Sequence, residues 1–295
     1  MRDYFPYLIF GIQAAAIYAI AASGLVVTYT TSGIFNFAHG AMGMLAAFTY
    51  WELRINRGWP APLALIAVIF VLAPLAGALI ERFLMRGLEG VSQATSLVVT
   101  IGTQFFWRGA VLVLTQGGNF TLDFIKQTIW YPLLVGKIGG YFPMQMVWLI
   151  VITILGWVFL NRHRFGAHIY LIGDNVNSAE LMGINTGRTR IQAFMLVGLV
   201  SAFAGVVASF YVAYFWPSLG DGYLLSTLAS VFLGGTSVFG GTGTILGTFL
   251  GAFIIGAIEA ATVAIGLTGF WTQFIYGLII VLSVIMHTYL RKRAD

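Results

Sequence analysis

The 295-residue chain has no cysteine, which excludes disulfide bridges and thiolate metal sites outright. Charge is almost as scarce. Only 8% of its residues are charged, against about a quarter in an average soluble domain. The acidic residues in its apolar runs are too few for a paired-carboxylate catalytic site or a proton relay. There is no H-E-x-x-H, no nucleophile elbow and no phosphate loop ending in Lys-Ser/Thr, so the chain carries neither an enzyme signature nor an ATP-binding sequence. Hydrophobic residues make up 59% of the chain. The runs they form approach or exceed the roughly 17–25 residues that cross a bilayer as helix. Those runs are continuous rather than alternating, which argues against a spanning β-barrel.

The length criterion gives about nine apolar segments: 8–30, 38–53, 61–80, 94–115, 144–160, 191–214, 224–239, 243–265 and 270–289. The second and seventh are short for a full crossing, so tilted or broken helices are expected there. The first segment lacks an A-x-A-like cleavage site after a basic start and is read as a retained helix rather than a signal peptide. With no linker or low-complexity run, residues 1–295 are expected to form one domain. The predicted fold is all-α and polytopic, with about eight to ten membrane-spanning helices, some of them broken.

Orientation follows from the basic residues. Arg82, Arg86, Arg162, Arg164, Arg188, Arg190, Arg291, Lys292 and Arg293 fall on one side by alternation, which is therefore predicted to be cytoplasmic. Arg2, Arg54, Arg57, Lys126 and Lys137 fall on the other. The amino terminus is thus expected outside and the carboxyl terminus inside. The net charge of +5 is small and sits at loop edges, as orientation requires, and gives no support for nucleic-acid binding. Trp130, Tyr131 and Tyr141, in the long outer connection 116–143, suit a membrane interface.

The most hydrophilic stretch, 161–190, is placed inside by this rule. Within it, Asn177 is expected to cap a short helix, with Glu180 three residues on in a capping-box-like position and Gly183 at a left-handed stop. One or two turns of helix are not stable alone in water, and Leu181, Met182 and Ile184 have no use on a solvated loop. These features predict a docking helix received by a cytoplasmic protein. Two other segments interrupt the apolar pattern. In the segment 32–40, Asn36 and His39 sit among glycines; this is either a pathway-lining break or a tight turn with a hydrogen-bonded histidine. The segment 234–243, with Thr236 and Ser237, is glycine-rich. It leads into Gly243, Gly247 and Gly251, spaced by four for close helix packing. The two breaks, one in each half, hint at an internal repeat. Arg108 and Glu259 stand within apolar segments, facing the bundle interior, a subunit contact or each other.

The residues Gly33-Ile34-Phe35-Asn36-Phe37-Ala38-His39-Gly40-Ala41-Met42 closely resemble the branched-chain amino-acid permeases of ABC importers. From Arg164 onward the chain is similar to the related ribose-type permeases. Phe165-Gly166, Ile172-Gly173-Asp174-Asn175, Leu181-Met182-Gly183-Ile184-Asn185, Leu233-Gly234-Gly235-Thr236-Ser237 and Phe270-Trp271 carry that likeness. Glu259 stands where the amino-acid group tends to carry glutamate and the sugar group asparagine, which favours an amino-acid cargo over a sugar. The resemblance implies a multi-pass subunit of a bacterial inner membrane, working with a second permease, identical or paralogous. It implies two cytoplasmic ATPases that bind ATP and Mg, none of it held by this chain, and an outer solute-binding protein. Asp174, Asn175, Glu180, Leu181, Met182, Gly183 and Ile184 would then be the coupling segment toward the ATPase.

Overall fold

The computed structural model describes residues 4–88, 91–236 and 243–294. It is an all-α, polytopic membrane protein. Among the described residues, seven helices are long and apolar enough to cross a bilayer. They are α1 (Phe5–Ser32), α3 (Ala61–Leu88), α4 (Gln93–Thr115), α6 (Met144–Arg162), α9 (Thr186–Val212), α11 (Ile245–Ala264) and α12 (Gly269–Ala294). Two shorter helices occupy the second and seventh apolar segments: α2 (Ala38–Trp51), extended by a π turn over Glu52–Asn56, and α10 (Leu219–Leu233). The remaining helices, α5 (Trp130–Val135), α7 (Arg164–Asp174) and α8 (Val176–Leu181), lie in connections. Helix α3 widens into π turns at Ala67–Leu72 and Glu81–Met85. The first ends two residues before Pro74, whose ring and missing N–H break the regular ladder.

Helix α10 begins and ends earlier than its apolar run suggests. Asp221 and its flanking glycines lie outside that run but form the first turn of the helix. A left-handed Gly235 (φ +84°) follows its C-terminal end. Residues 237–239, the end of that run, lie outside the described residues, as does Ser237 with them.

Helices α1 and α9 form the centre of the bundle; their most apolar windows are each 83% buried. Helices α4, α6 and α12 are largely exposed and apolar, with Phe105, Phe106, Leu155, Phe274 and Leu282 facing outward, as helices bathed in lipid require. The start of α1 reaches the 116–143 connection, where Phe5 and Tyr141 meet edge to face. The chain leaving α9 pairs with that same connection, Tyr214–Phe215 against Phe120–Thr121. Helices α1 and α9 therefore run in opposite directions.

The packing partners repeat under this inversion. Helix α1 packs along α11, and α9 along α3. Helix α2 packs on α4, and α10 on α12. The glycines that allow close approach repeat as well: Gly77 of α3 lies against the Phe194 carbonyl of α9, and Gly256 of α11 against the Gly11 carbonyl of α1. The fold is thus an inverted repeat of α1–α4 and α9–α12. The break at 33–37 finds its mate in the connection 213–218, not in the glycine-rich segment 234–243 that the sequence put beside it. The mates share a position in the fold and not a glycine pattern.

At the centre of this repeat, the first turns of α2 and α10 cross at Gly40 and Gly220. A Cβ on either glycine would press on the other's carbonyl. Gly247 and Gly251 lie on the face of α11 against the end of α10, where they meet the carbonyls of Gly234 and Ser230; Gly243 faces Thr236 and Val26. Substituting Gly40→Val or Gly220→Val should each cost about 1–3 kcal/mol by overpacking. The measurable outcome is a thermal midpoint in detergent several degrees below wild type. Gly102→Ala, in open space on α4, should leave it unchanged or slightly raised.

Candidate functional site

The break between α1 and α2 is closed by local bonds. Gly33 is left-handed (φ +67°), and its N–H donates to the Tyr29 carbonyl. Asn36 is buried, and its Oδ1 accepts from the Ala38 N–H at 3.1 Å. Thr100 Oγ1 on α4 donates to the Phe35 carbonyl, and the Phe35 ring stacks on Tyr29. His39 is 2% exposed, with its ring against Gly24 of α1, and Ser201 Oγ of α9 donates to its backbone carbonyl. A cavity of about 20 Å³ lies beside it, lined also by Gly40, Ser201, Gly220 and Thr227. That is room for about one water and for no solute, so the junction of α1, α2, α9 and α10 is a plug. Thr236 is buried beside Gly243, away from the lining of that cavity.

Two larger chambers flank the plug on opposite faces. On the face of the basic loops, a chamber of about 390 Å³ is lined by Ser32, Glu81, Ser96, Asn177, Glu180 and Arg190. On the other face, one of about 370 Å³ is lined by Tyr18, Trp216, Asp221, Glu259, Gln273 and Tyr276, among others. Each contains a glutamate one turn beyond a packing glycine of the repeat: Glu81 after Gly77 and Glu259 after Gly256.

The two charges flagged in apolar segments do not pair with each other. Glu259 Oε2 accepts from Tyr18 Oη at 2.5 Å and from Tyr276 Oη at 3.4 Å. Arg108 bonds Asp221 Oδ2, and Gln104 Nε2 donates to Asp221 Oδ1 at 3.1 Å, tying α4 to the first turn of α10. Asp221 escaped the sequence reading because it lies between two apolar segments, where a carboxylate needs no explanation. Tyr18 and Tyr276 read as ordinary apolar positions, and nothing in their spacing marks them.

The hydrophilic stretch holds two helices rather than one. Helix α7 packs Gly173 against the Thr30 carbonyl at the end of α1, which fixes the stretch to the bundle. Helix α8 is capped by Asn175, not Asn177: Asn175 Oδ1 accepts from the Ser178 N–H at 2.9 Å. Asn177 instead lines the chamber. Glu180 does not reach back to close a capping box; its Oε1 accepts from Thr186 Oγ1 at 2.8 Å, bracing α8 against the start of α9. Gly183 is left-handed (φ +79°), a conformation that favours glycine, and Asn185 then caps α9. Asp174 is the last residue of α7. This framework presents Leu181, 91% exposed, and Met182, 59% exposed, with Ile184 half-buried beside them.

Residues 7–284 match the family described as branched-chain amino acid transport system / permease component, and the chain belongs to that family. The autoinducer 2 import system permease protein LsrC of Enterobacter sp. (strain 638) is 32% identical over 242 residues, covering 81% of this chain and 67% of that one. The LsrC of Yersinia pestis (strain Pestoides F) is 29% identical over 283 residues, covering 95% and 77%. The ribose import permease protein RbsC of Escherichia coli (strain K12) is 28% identical over 283 residues, covering 93% and 83%. No solved structure gives a significant match.

The Arg108–Asp221 pair is testable by a double-mutant cycle with Arg108→Gln and Asp221→Asn. Both side chains are 35% exposed, so a coupling of about 0.5–1 kcal/mol is expected from thermal unfolding of the four proteins in detergent. A coupling indistinguishable from zero would leave the pair without a structural role.

Proposed function

We propose that this chain is the membrane-spanning subunit of an ATP-driven, binding-protein-dependent importer of a sugar-class solute. The observation that carries the coupling half of this reading is the exposed Leu181–Met182 pair at the end of a helix braced at both ends. Apolar side chains on a rigid, capped helix are suited to burial in a partner. The chain has no ATP-binding sequence, so the energy for uptake enters from that partner. In this reading Asp174, Asn175, Glu180 and Gly183 hold the segment's shape, while Leu181, Met182 and Ile184 make the contact.

The assembly contains two permease subunits, two cytoplasmic ATPases that bind ATP and Mg, and an outer solute-binding protein, in a bacterial inner membrane. The basic loops face the cytoplasm, which puts the amino terminus outside and the carboxyl terminus inside. Closure of the ATPases moves α8 and, through Glu180–Thr186, the start of α9 as one rigid-body step. The plug around His39, Gly40 and Gly220 separates the two chambers between steps.

The cargo assignment rests on the likeness to a ribose and an autoinducer 2 import permease. It displaces the preference for a branched-chain amino acid that Glu259 alone gave. The family's description favours the amino acid as a second reading. Uptake of radiolabelled ribose against leucine by proteoliposomes with the cognate binding protein and ATPases separates them.

The combined substitution Leu181→Asp and Met182→Asp should abolish solute-stimulated ATP hydrolysis in the reconstituted complex or release the ATPase on purification. Unchanged stimulated hydrolysis would overturn the coupling assignment.

A further inference from the structure

The chamber of about 370 Å³ on the face opposite the basic loops is built differently from a hole left by imperfect packing. Its volume falls in the range of about 300–1,000 Å³ typical of small-molecule sites. Aromatic rings from four separate elements form its walls: Tyr18 of α1, Trp216 of the connection, Tyr223 of α10 and Tyr276 of α12. Between them stand Glu259, Thr272 and Gln273.

The state of the two carboxylates decides what this lining can receive. Both oxygens of Asp221 are engaged, one by Arg108 and the other by Gln104, so this group is neutralised from outside the chamber. Glu259 takes both of its tyrosine hydroxyls on Oε2 alone, which leaves Oε1 as an acceptor. The side chain of Gln273 is exposed, lines the chamber and makes no hydrogen bond to any of the described residues. Among the described residues, no Lys or Arg lines the chamber. A free amino acid would offer Glu259 its ammonium, but its carboxylate must also be matched by a cation or by converging donors, and the lining supplies no cation for it. A hydroxyl-rich neutral molecule has the opposite needs: acceptors for its O–H groups, an amide that both donates and accepts, and aromatic faces for its C–H surface.

We propose that this chamber is a binding site for a neutral polyhydroxylated solute, with Glu259 Oε1 and Gln273 as its polar contacts and the tyrosine–tryptophan walls as its apolar ones. This deepens the sugar-importer reading and rests on it. The site is a way station inside the permease itself, additional to whatever the outer binding protein recognises. The same glutamate that favoured an amino acid by its position thus favours a sugar by its surroundings.

The test uses the full-length permease in lipid nanodiscs, with tryptophan fluorescence as readout because Trp216 lines the chamber. The probes are D-ribose, D-galactose and myo-inositol, with L-leucine and putrescine as comparisons. Saturable binding of at least one polyol is expected, weakened tenfold or more by Glu259→Gln and by Gln273→Ala. Thermal midpoints serve as the check on folding. Gln273→Ala removes an exposed side chain with no hydrogen bond to the described residues, so it keeps the test open if Glu259→Gln does not fold. Absence of polyol binding, binding that survives in both folded variants, or preferential binding of leucine or putrescine would overturn the proposal. Reconstituted uptake separates its failure from that of the importer reading. Wild-type ribose or galactose uptake that is unaffected by either variant removes the chamber and leaves the importer. Wild-type uptake of leucine with no uptake of any polyol removes the cargo reading itself.

Discussion

Two helices can begin inside an apolar bundle only if almost nothing but backbone stands between them, and Gly40 and Gly220 meet that condition. A helix start leaves unsatisfied N–H groups, which are costly against lipid and tolerable only when enclosed by protein. Crossing the first turns of α2 and α10 at reciprocal glycines encloses both starts. It also draws in α1 and α9, whose Gly24 and Ser201 close over His39. The chambers lie where they do because this central junction is filled, and the long helices diverge from it on both sides.

Much of this architecture was legible in the sequence. All nine apolar segments are helical at their cores, and the two short ones are the helices that start within the bundle. Charge scarcity and the position of the basic residues were enough to isolate the stretch 161–190. The finer reading of that stretch was harder. Asn175 and Asn177 are both competent caps, and the choice between them was made by α7, a helix whose footing on Thr30 lies more than a hundred residues away in sequence. The internal repeat was hinted at in the sequence, but through the wrong pair of breaks, for a similar reason. Its signature is which carbonyl faces which glycine, a property that exists only after the helices have packed.

The interior charges show how position can mislead where surroundings do not. Arg108 and Glu259 looked equivalent as isolated charges in apolar runs. Asp221 and Gln104 turn the first into a brace between α4 and α10. Two tyrosines hold the second at the edge of a chamber with one oxygen to spare. The difference comes from groups far apart in the chain, so no local motif could have separated a structural charge from one available to a solute.

The inverted repeat has a further consequence for how the two halves of the chain must differ. A unit used twice in opposite orientations meets the same membrane from both sides, so its ends cannot keep one charge pattern in both copies. Arg82 and Arg86 close α3, whereas the matching end of α11, residues 260–265, has no charged residue at all. Arg188 and Arg190 open α9, whereas the first turns of α1 have none. Glycine contacts record what the halves share, and arginines record which way each half faces. Identity between the halves is therefore to be sought along the buried helix crossings and not at the rims, where resemblance would have left the chain without a preferred direction of insertion.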